Sequence, residues 1–254
     1  TDANNASIVP TDTVKNTILI LAKTTEVWPI ERFAAKLATH FVEKYSNVTG
    51  VPVEISQDRW VKYHVNGKPH DHPFVHQGPE KKIVHLYYTR AGDYVLESRI
   101  KDLTVLKSTG SQFHGYNVCD YTTLKPTTDR ILSTDIDAVW KFDSKKLGSI
   151  YNISKLADQG LFDSVYSSAR EITLNRFAIE DSASVQATMY NMATEILQVA
   201  SSVETVSYSL PNKHYFLFDF RWKGLDNENE LFYPSPHPNG LIKCTVARSP
   251  KNKL

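Results

Sequence analysis

The sequence is poor in cysteine, and the two cysteines that it has stand alone. Cys119 and Cys244 lie far apart among 254 residues, and neither belongs to a CxxC pair. Isolated cysteines of this kind predict free thiols in a reducing compartment. We therefore do not expect a disulfide framework to hold the fold together.

An excess of charge and long apolar runs are also lacking. Lysine and arginine total 29 against 28 acidic residues, for a formal net charge of +1, which argues against nucleic-acid binding through a large basic face. No apolar run approaches the length of a membrane span, and the polar start at residues 1–5 has no signal-peptide core. We therefore expect neither a nucleic acid nor a membrane as a partner.

Glycine-rich phosphate loops are absent as well. The sequence contains no GxGxxG, no GxxxxGK[ST] and no GxSxG motif. The first two hold nucleotide phosphates on backbone N–H groups, and the third carries the nucleophile of many hydrolases. The chain shows no place for a nicotinamide or flavin, so we expect no cofactor.

What the sequence does contain is the same order of elements twice. In the first half, the β-branched, apolar segment 14–23 predicts a strand. After Pro29, which suits the first turn of a helix, apolar residues recur at helical spacing as far as Tyr45. Asn66-Gly67 and a loop at 91–93 predict turns. Partly alternating segments predict strands at 51–65, 82–89, 94–100 and 103–107, with a proline-rich loop at 67–73.

The second half repeats this plan. A strand is predicted around 140–142, and Asp163 is predicted to cap a helix that runs to about Glu180. Ser182 or Ser184 is predicted to cap a second helix with an apolar stripe. Strands are predicted again at 205–210, 214–222 and 241–248.

Two α+β halves, each with an antiparallel sheet that helices cover on one face, explain this order best. We place the first module at residues 1–109 and the second at residues 110–254. Sheet faces and edges that remain uncovered must be buried elsewhere, so we expect the chain to oligomerise.

A first candidate site is a group of histidines that could ligate zinc or iron. A His-x-His pair followed by a third histidine makes a zinc hydrolase one hypothesis. No HExxH or CxxC motif supports it, and surface histidines in a loop are the more common explanation. The group consists of His64, His70, His72, His76 and His85.

Other candidates also have an ordinary structural explanation. Arg130 offers a planar fork of donors to an anion, or else it forms a surface ion pair with Asp129 or Asp135. Thr11 and Asp12, before the first predicted strand, could simply form a turn or cap.

Two further pairs of residues are candidates, one for binding a ligand and the other for transferring protons. Gln186, which follows Val185 in the first turn of a predicted helix, presents a donor and an acceptor to a heterocycle edge, at a helix end that favours anions. Asn212 and His214 lie at a loop-to-strand junction, where a histidine can transfer protons near neutral pH. A solvated glutamine and a structural histidine are the alternatives.

Six segments, in order along essentially the whole chain, together resemble the urate oxidases, in particular those of fungi and yeasts. Six long motifs in the right order are a specific signal. They are VPTDTVKNT at 9–17, LTVLKSTGSQF at 103–113, DRILSTD at 129–135, SASVQATM at 182–189, LPNKHYF at 210–216 and NGLIKCTV at 239–246.

The resemblance implies the tunnelling fold, or T-fold. Each chain of that fold has two tandem modules of antiparallel sheet covered by helices, and four chains form a barrel with a tunnel. It also implies a homotetramer with active sites at the interfaces between subunits. The two halves and the oligomerisation expected above agree with this.

The resemblance also implies how the substrate is held. Arg130 and Gln186 would grip the urate anion from two sides. Phe113 would stack against the purine ring, a favourable offset aromatic contact. The backbone of Val185 would form a hydrogen bond with the ring edge.

A second set of implied roles concerns oxygen and protons. Thr11 and Asp12 would come from the neighbouring subunit, with the backbone N–H of Asp12 contacting the substrate. Asn212 would face the oxygen or water site above the ring. His214 would belong, with Thr11, to a proton relay.

The implied reaction is the cofactor-free oxidation of urate by O2 and water to 5-hydroxyisourate and hydrogen peroxide, in purine degradation. Urate is electron-rich and can reduce oxygen without a metal or flavin. Peroxide production suits a peroxisome, and the C-terminal Asn252-Lys253-Leu254 resembles the Ser-Lys-Leu address except at its first residue.

One departure from the family pattern concerns the start of the chain. In urate oxidases several dozen residues precede the threonine motif, form the first strands and carry a lysine that pairs with the threonine. No residue here matches that lysine, and Lys15 is not its counterpart. The alternative prediction is therefore an impaired or inactive urate-binding fragment with an exposed sheet edge. A pterin- or purine-handling enzyme of the same fold is a further alternative.

Overall fold

A computed structural model describes residues 4–238 and 240–248. Its helices are α1 (Thr11–Thr24), α2 (Ile30–Lys44), α3 (Ser144–Leu147), α4 (Ile153–Asp158), α5 (Leu161–Ile179) and α6 (Val185–Val199), with 3₁₀ turns at Ile150–Asn152 and Arg221–Lys223. Its strands are β1 (Gly50–Val65), β2 (Lys68–Thr89), β3 (Tyr94–Lys107), β4 (Leu132–Phe142), β5 (Val203–Pro211), β6 (Tyr215–Leu217), β7 (Phe232–Pro234) and β8 (Leu241–Ala247).

Six strands form one antiparallel sheet in the order β1-β2-β3-β4-β5-β8, and β6 pairs with β7 separately. Helix α2 packs on β1 and β2, while α6 packs on β5 and β8. This arrangement confirms the predicted α+β class. The sheet continues across the predicted module boundary at residue 109, and that boundary stays a prediction.

The centre of the sheet follows from the alternation along β4. Ile136, Ala138 and Trp140 point to the buried face, and each is at most 1% exposed. Ala138 pairs with Tyr208 of β5, whose hydroxyl lies 2.6 Å from that of Thr173 on α5. The alternating burial of large apolar side chains therefore fixes the register of the strands and the face of the sheet on which the helices pack.

Segment 14–23, predicted as a strand, is part of helix α1, so this prediction was wrong. Val14, Ile18 and Leu21 are spaced i, i+4, i+7, which places them on one helical face. That face lies towards Phe33 and Leu37 of α2. Packing on α2 thus overrides the β propensity of a β-branched segment.

The proline-rich loop predicted at 67–73 is also wrong, because β2 runs through it. β1 and β2 form a long hairpin whose turn is Asn66-Gly67, as predicted, with φ values of 53° and 75°. Only residues 81–88 of β2 pair with β3. Among the described strands, residues 68–80 of β2 pair with β1 alone, and a strand with an unpaired side tolerates prolines such as Pro69 and Pro73.

Smaller differences concern element boundaries. Asp163 lies in the first turn of α5, and Gly160 is the N-cap. The predicted strands at 94–100 and 103–107 are one strand with a bulge near Asp102. The predicted strand at 214–222 is only β6, and α3 and α4 were not predicted.

Both cysteines are free thiols, as predicted. Among the described residues, no helix is long and apolar enough to cross a membrane.

Candidate active site

Four segments of the chain meet at one end of the sheet. They are the end of β3, the start of β4, the end of β5 and the start of α6. Isolated bridges join Ser111 to Ser182 and Ser133 to Lys213. The antiparallel order and these bridges therefore gather six of the predicted site residues: Phe113, Arg130, Val185, Gln186, Asn212 and His214.

Phe113 and Arg130 lie close together, with the guanidinium over the ring. The guanidinium carbon of Arg130 lies 5.5 Å from the centroid of the Phe113 ring. Two backbone hydrogen bonds with Thr127, of 2.9 and 3.0 Å, hold Phe113 in place. Tyr116 stacks on Phe113 at 5.1 Å, a contact not anticipated from the sequence. The pair offers a flat apolar ring beside a positive charge.

The charge of Arg130 has no counter-ion within residues 4–238 and 240–248. Its Nε donates a long hydrogen bond of 3.5 Å to the Ser111 hydroxyl. Asp129 accepts instead from its own loop, and Asp135 pairs with Lys213 at 2.5 Å. The surface ion pair considered as an alternative is therefore wrong. Burial lowers the pKa of the Arg130 guanidinium, as expected for a desolvated, unpaired cation.

The start of α6 presents Val185 and Gln186. Ser184 caps the helix by accepting a 3.2 Å hydrogen bond from the backbone N–H of Ala187, which confirms one of the two predicted caps. Val185 is buried and anchors the first turn, whereas Gln186 is exposed. The first N–H groups of a helix lack intrahelical partners, so this end can donate to an anion or a ring edge.

A backbone clasp joins these two sides. The N–H of Gln112 donates to the carbonyl of Ser182 at 2.7 Å, and the N–H of Ser182 donates to the carbonyl of Gly110 at 3.0 Å. The Ser182 hydroxyl lies 2.7 Å from that of Thr188 on α6. Sequence reasoning did not identify the clasp, although Gly110 and Ser182 both lie inside the quoted motifs.

Asn212 and His214 stand beside the start of β4. The Lys213 N–H between them donates to the carbonyl of Ser133 at 3.0 Å. The His214 ring stacks on Phe216, with centroids 5.8 Å apart. Both site residues are half-buried. An amide and an imidazole are thus held next to the segment that carries Arg130.

Thr11 and Asp12 lie in a different part of the chain. They begin α1, which packs on α2 over the β1 side of the sheet. Both are exposed, and Asp12 binds Lys15 at 2.8 Å and Asn16 at 2.9 Å. One chain therefore gathers six of the eight predicted residues and leaves these two elsewhere.

The histidine group is spread along the β1–β2 hairpin. His85 lies 3.2 Å from Glu54, and His76 lies 3.9 Å from Asp58. In the part of the chain that the structure describes, no three His, Cys, Asp or Glu residues are arranged to hold a metal ion. The zinc-hydrolase hypothesis gains no support there.

Comparisons with known proteins agree with the motifs. The sequence model of the Uricase family matches residues 1–87 and 96–243. A uricase from Cyberlindnera jadinii is 74% identical over 254 residues, which is 100% of this chain and 84% of that protein. A uricase from Aspergillus flavus is 48% identical, with the same coverage of 100% and 84%.

A solved structure shows the same similarity in three dimensions. The crystal structure of uricase from Arthrobacter globiformis is 38% identical and superposes with a TM-score of 0.85. The match covers 98% of this chain and 80% of that one.

Proposed function

The chain belongs to the uricase family, and on this basis we propose that Arg130, Phe113, Val185 and Gln186 bind urate in its active site. Urate oxidation, predicted from the motifs, is its activity, and the alternative of an inactive fragment is not supported. For the single chain, the predicted tunnelling fold is confirmed by the likeness to the Arthrobacter structure.

One observation supports the binding proposal above all others. Arg130 is a half-buried cation without an ion-pair partner in the described part of the chain, and it lies 5.5 Å from the ring of Phe113. Urate is a flat anion at neutral pH. A ring to stack on and an unpaired charge beside it match both properties, and the Gln186 amide adds a donor and an acceptor for the opposite edge.

The remaining roles concern protons and oxygen. The overall reaction converts urate, O2 and water into 5-hydroxyisourate and hydrogen peroxide, so two electrons pass from urate to O2. The protein must orient the anion, take up a proton from it and hold O2 and then water above the ring. We assign Asn212 to the oxygen or water position, and His214 with Thr11 to proton transfer.

Assembly completes the site in this proposal. Thr11 and Asp12 begin α1, on the opposite part of the sheet from Arg130, so we infer that a neighbouring subunit of a homotetramer supplies them. Mixed oligomers of Thr11→Ala and Arg130→Ala subunits test this. Co-expression should restore part of the activity that either variant lacks alone, because some interfaces combine two intact halves. Activity no higher than the sum of the two separate variants would refute a shared site.

Arg130→Ala tests the binding role. We expect turnover to fall by about 100-fold or more, because an unpaired cation that orients the reacting anion is lost. The measurement is loss of urate ultraviolet absorbance together with peroxide release, in chelator-treated protein.

Arg32→Ala is the matched control for that experiment. Arg32 is also half-buried, but it pairs with Asp158 away from the site, so activity should be retained. Equal activity of Arg130→Ala and the wild type would show that urate binds elsewhere.

The cellular location stays a proposal. The residues that resemble a peroxisomal address, Asn252-Lys253-Leu254, lie outside the described residues. Peroxide as a product supports a peroxisome. Removing these three residues should shift a fluorescently tagged chain from peroxisomes to the cytosol, and unchanged location would refute the assignment.

A further inference from the structure

The two sides of the proposed urate site belong to segments that are distant in sequence. Phe113 and Arg130 lie between β3 and β4, whereas Val185 and Gln186 begin α6. A ring that contacts both sides needs a fixed spacing between them, because misplacement by about 1 Å can lower a rate by about 100-fold. Contacts that set this spacing therefore bear on catalysis without touching the substrate.

Lys107, the last residue of β3, makes such a contact. Its ammonium donates a 2.6 Å hydrogen bond to the backbone carbonyl of Glu180 and lies 5.7 Å from the centroid of the Phe177 ring. Glu180 is the C-cap of α5, where a cation is favoured by the helix dipole. Burial lowers the pKa of Lys107, while the charges of Glu180 and Asp181 raise it. The ammonium is thus partly desolvated against the turn that leads into α6.

Glu180 carries this contact on to α6. Its Oε1 accepts a 2.8 Å hydrogen bond from the Asn191 side chain and a longer one, of 3.5 Å, from the Thr188 hydroxyl. Thr188 also meets Ser182, whose backbone forms the clasp. A continuous set of contacts therefore runs from the end of β3 to the first turns of α6.

We propose that Lys107 is a positioning residue for urate, which fixes Gln186 relative to Arg130 by holding the carbonyl of Glu180. The inference rests on the proposed urate site. The positioning role also explains why the half-buried Lys107 donates to a backbone carbonyl although the carboxylates of Glu180 and Asp181 are near.

Lys107→Met tests this role, because it keeps the apolar stem and removes the ammonium. Urate affinity is measured directly without oxygen, so that binding is observed and no turnover follows. We expect the Kd for urate, and the KM in air, to rise about tenfold at an unchanged fraction of folded tetramer. A merely structural role would lower the melting temperature or the number of active sites but leave the Kd of the remaining sites unchanged.

Lys146→Met is the matched control. Lys146 likewise donates a 2.7 Å hydrogen bond to a backbone carbonyl, that of Ser201. Ser201 lies between α6 and β5, however, and not on the turn that leads into α6. Its loss should leave the Kd unchanged. A Kd that rises equally in both variants would overturn the proposal.

A double-mutant cycle identifies the route of the effect. If Lys107 acts through Gln186, Lys107→Met should raise the Kd much less in a Gln186→Ala background than in the wild type. Asn191→Ala removes the next contact in the set and should give a smaller rise in Kd. Because Asn191 is exposed, this variant replaces Lys107→Met if the latter does not fold. Additive effects in the cycle, or wild-type affinity in both Lys107→Met and Asn191→Ala, would overturn the proposal.

Arg130→Ala separates the two levels of inference. Lost urate binding in Arg130→Ala with unchanged binding in Lys107→Met would refute the positioning role alone. Unchanged binding in Arg130→Ala would refute the urate site on which it rests.

Discussion

The first helix of the molecule, α1, and its last helix, α6, are buried to very different degrees. In the carboxy-terminal half (residues 94–247), α6 covers β5 and β8, and Met192 and Ile196 are 0% exposed. In the amino-terminal half (residues 11–89), α1 buries only Leu21. Helix α6 should therefore contribute more to stability than α1, because a helix gains stability from the apolar area that it covers.

An open apolar groove accounts for the looser packing of α1. It has a volume of about 580 Å³ and lies between α1, α2 and β1, the terminal strand of the described sheet. Val14, Ile18, Phe33 and Val53 line it. Most of the proposed site lies in the other half, beside the well-packed helix α6.

Removing the same side chain from each half should give the largest difference. Ile196→Ala would leave a cavity in a fully buried position and should lower the free energy of unfolding by about 2–5 kcal/mol. Ile18 is 36% exposed, so Ile18→Ala should lower it by about 1 kcal/mol or less. Urea unfolding at one protein concentration measures both. Equal losses would show that the groove is as well covered in solution as the core.

Periodicity explains which elements could be predicted from the sequence. Helix α2 was recognised because Phe33 and Leu37 repeat at helical spacing, and α6 because Ser184 precedes a similar stripe. Segment 14–23 failed because Ile18 and Leu21 share a helical face only once α2 is in place beside them. The β propensity is a property of the segment itself, whereas the surface of α2 that favours a helix comes from another segment of the chain.

The site was predicted unevenly for a related reason. The long motifs around Arg130 and Gln186 identified residues that the sheet brings together, which spacing alone could not do. The clasp at Ser182 and the contact from Lys107 to Glu180 use backbone carbonyls. No residue pattern encodes such an acceptor, because every residue has one.

The junction of the two halves should give the next largest effect. Glu80 of β2 is 5% exposed and accepts hydrogen bonds of 2.7 and 2.9 Å from Arg170 of α5, besides contacts with Arg59 and Tyr166. Glu80→Gln should lower the free energy of unfolding by about 2 kcal/mol at pH 7, because two arginines lose their carboxylate.

The pH dependence of this effect follows from the Glu80 pKa. Burial raises that pKa, but hydrogen bonds from Arg170 and Arg59 outweigh it and leave it below the ordinary 4.5. A depressed pKa gives stability that is present above pH 4.5 and lost as the pH falls through the folded-state value. Urea unfolding from pH 7 to pH 3 should therefore show wild type and Glu80→Gln converging in acid. If the difference in the free energy of unfolding stayed constant with pH, the Glu80 carboxylate could not be its cause.

Helix capping should give the smallest difference between the halves. Ser184 caps α6 through a hydrogen bond of 3.2 Å, whereas Pro10 precedes α1 and provides no side-chain cap. Ser184→Ala should therefore cost about 1 kcal/mol, and Pro10→Ser should add a few tenths of a kcal/mol, roughly 0.5, to the stability of α1. Thermal unfolding of the two single variants and the double variant shows whether Ser184→Ala destabilises the protein and Pro10→Ser stabilises it. Within one chain the caps lie in different halves and share no partner, but the proposed tetramer brings the starts of α1 and α6 together across subunits, at Thr11 and Gln186. The two changes should therefore not simply add, and strict additivity would argue against this contact between subunits.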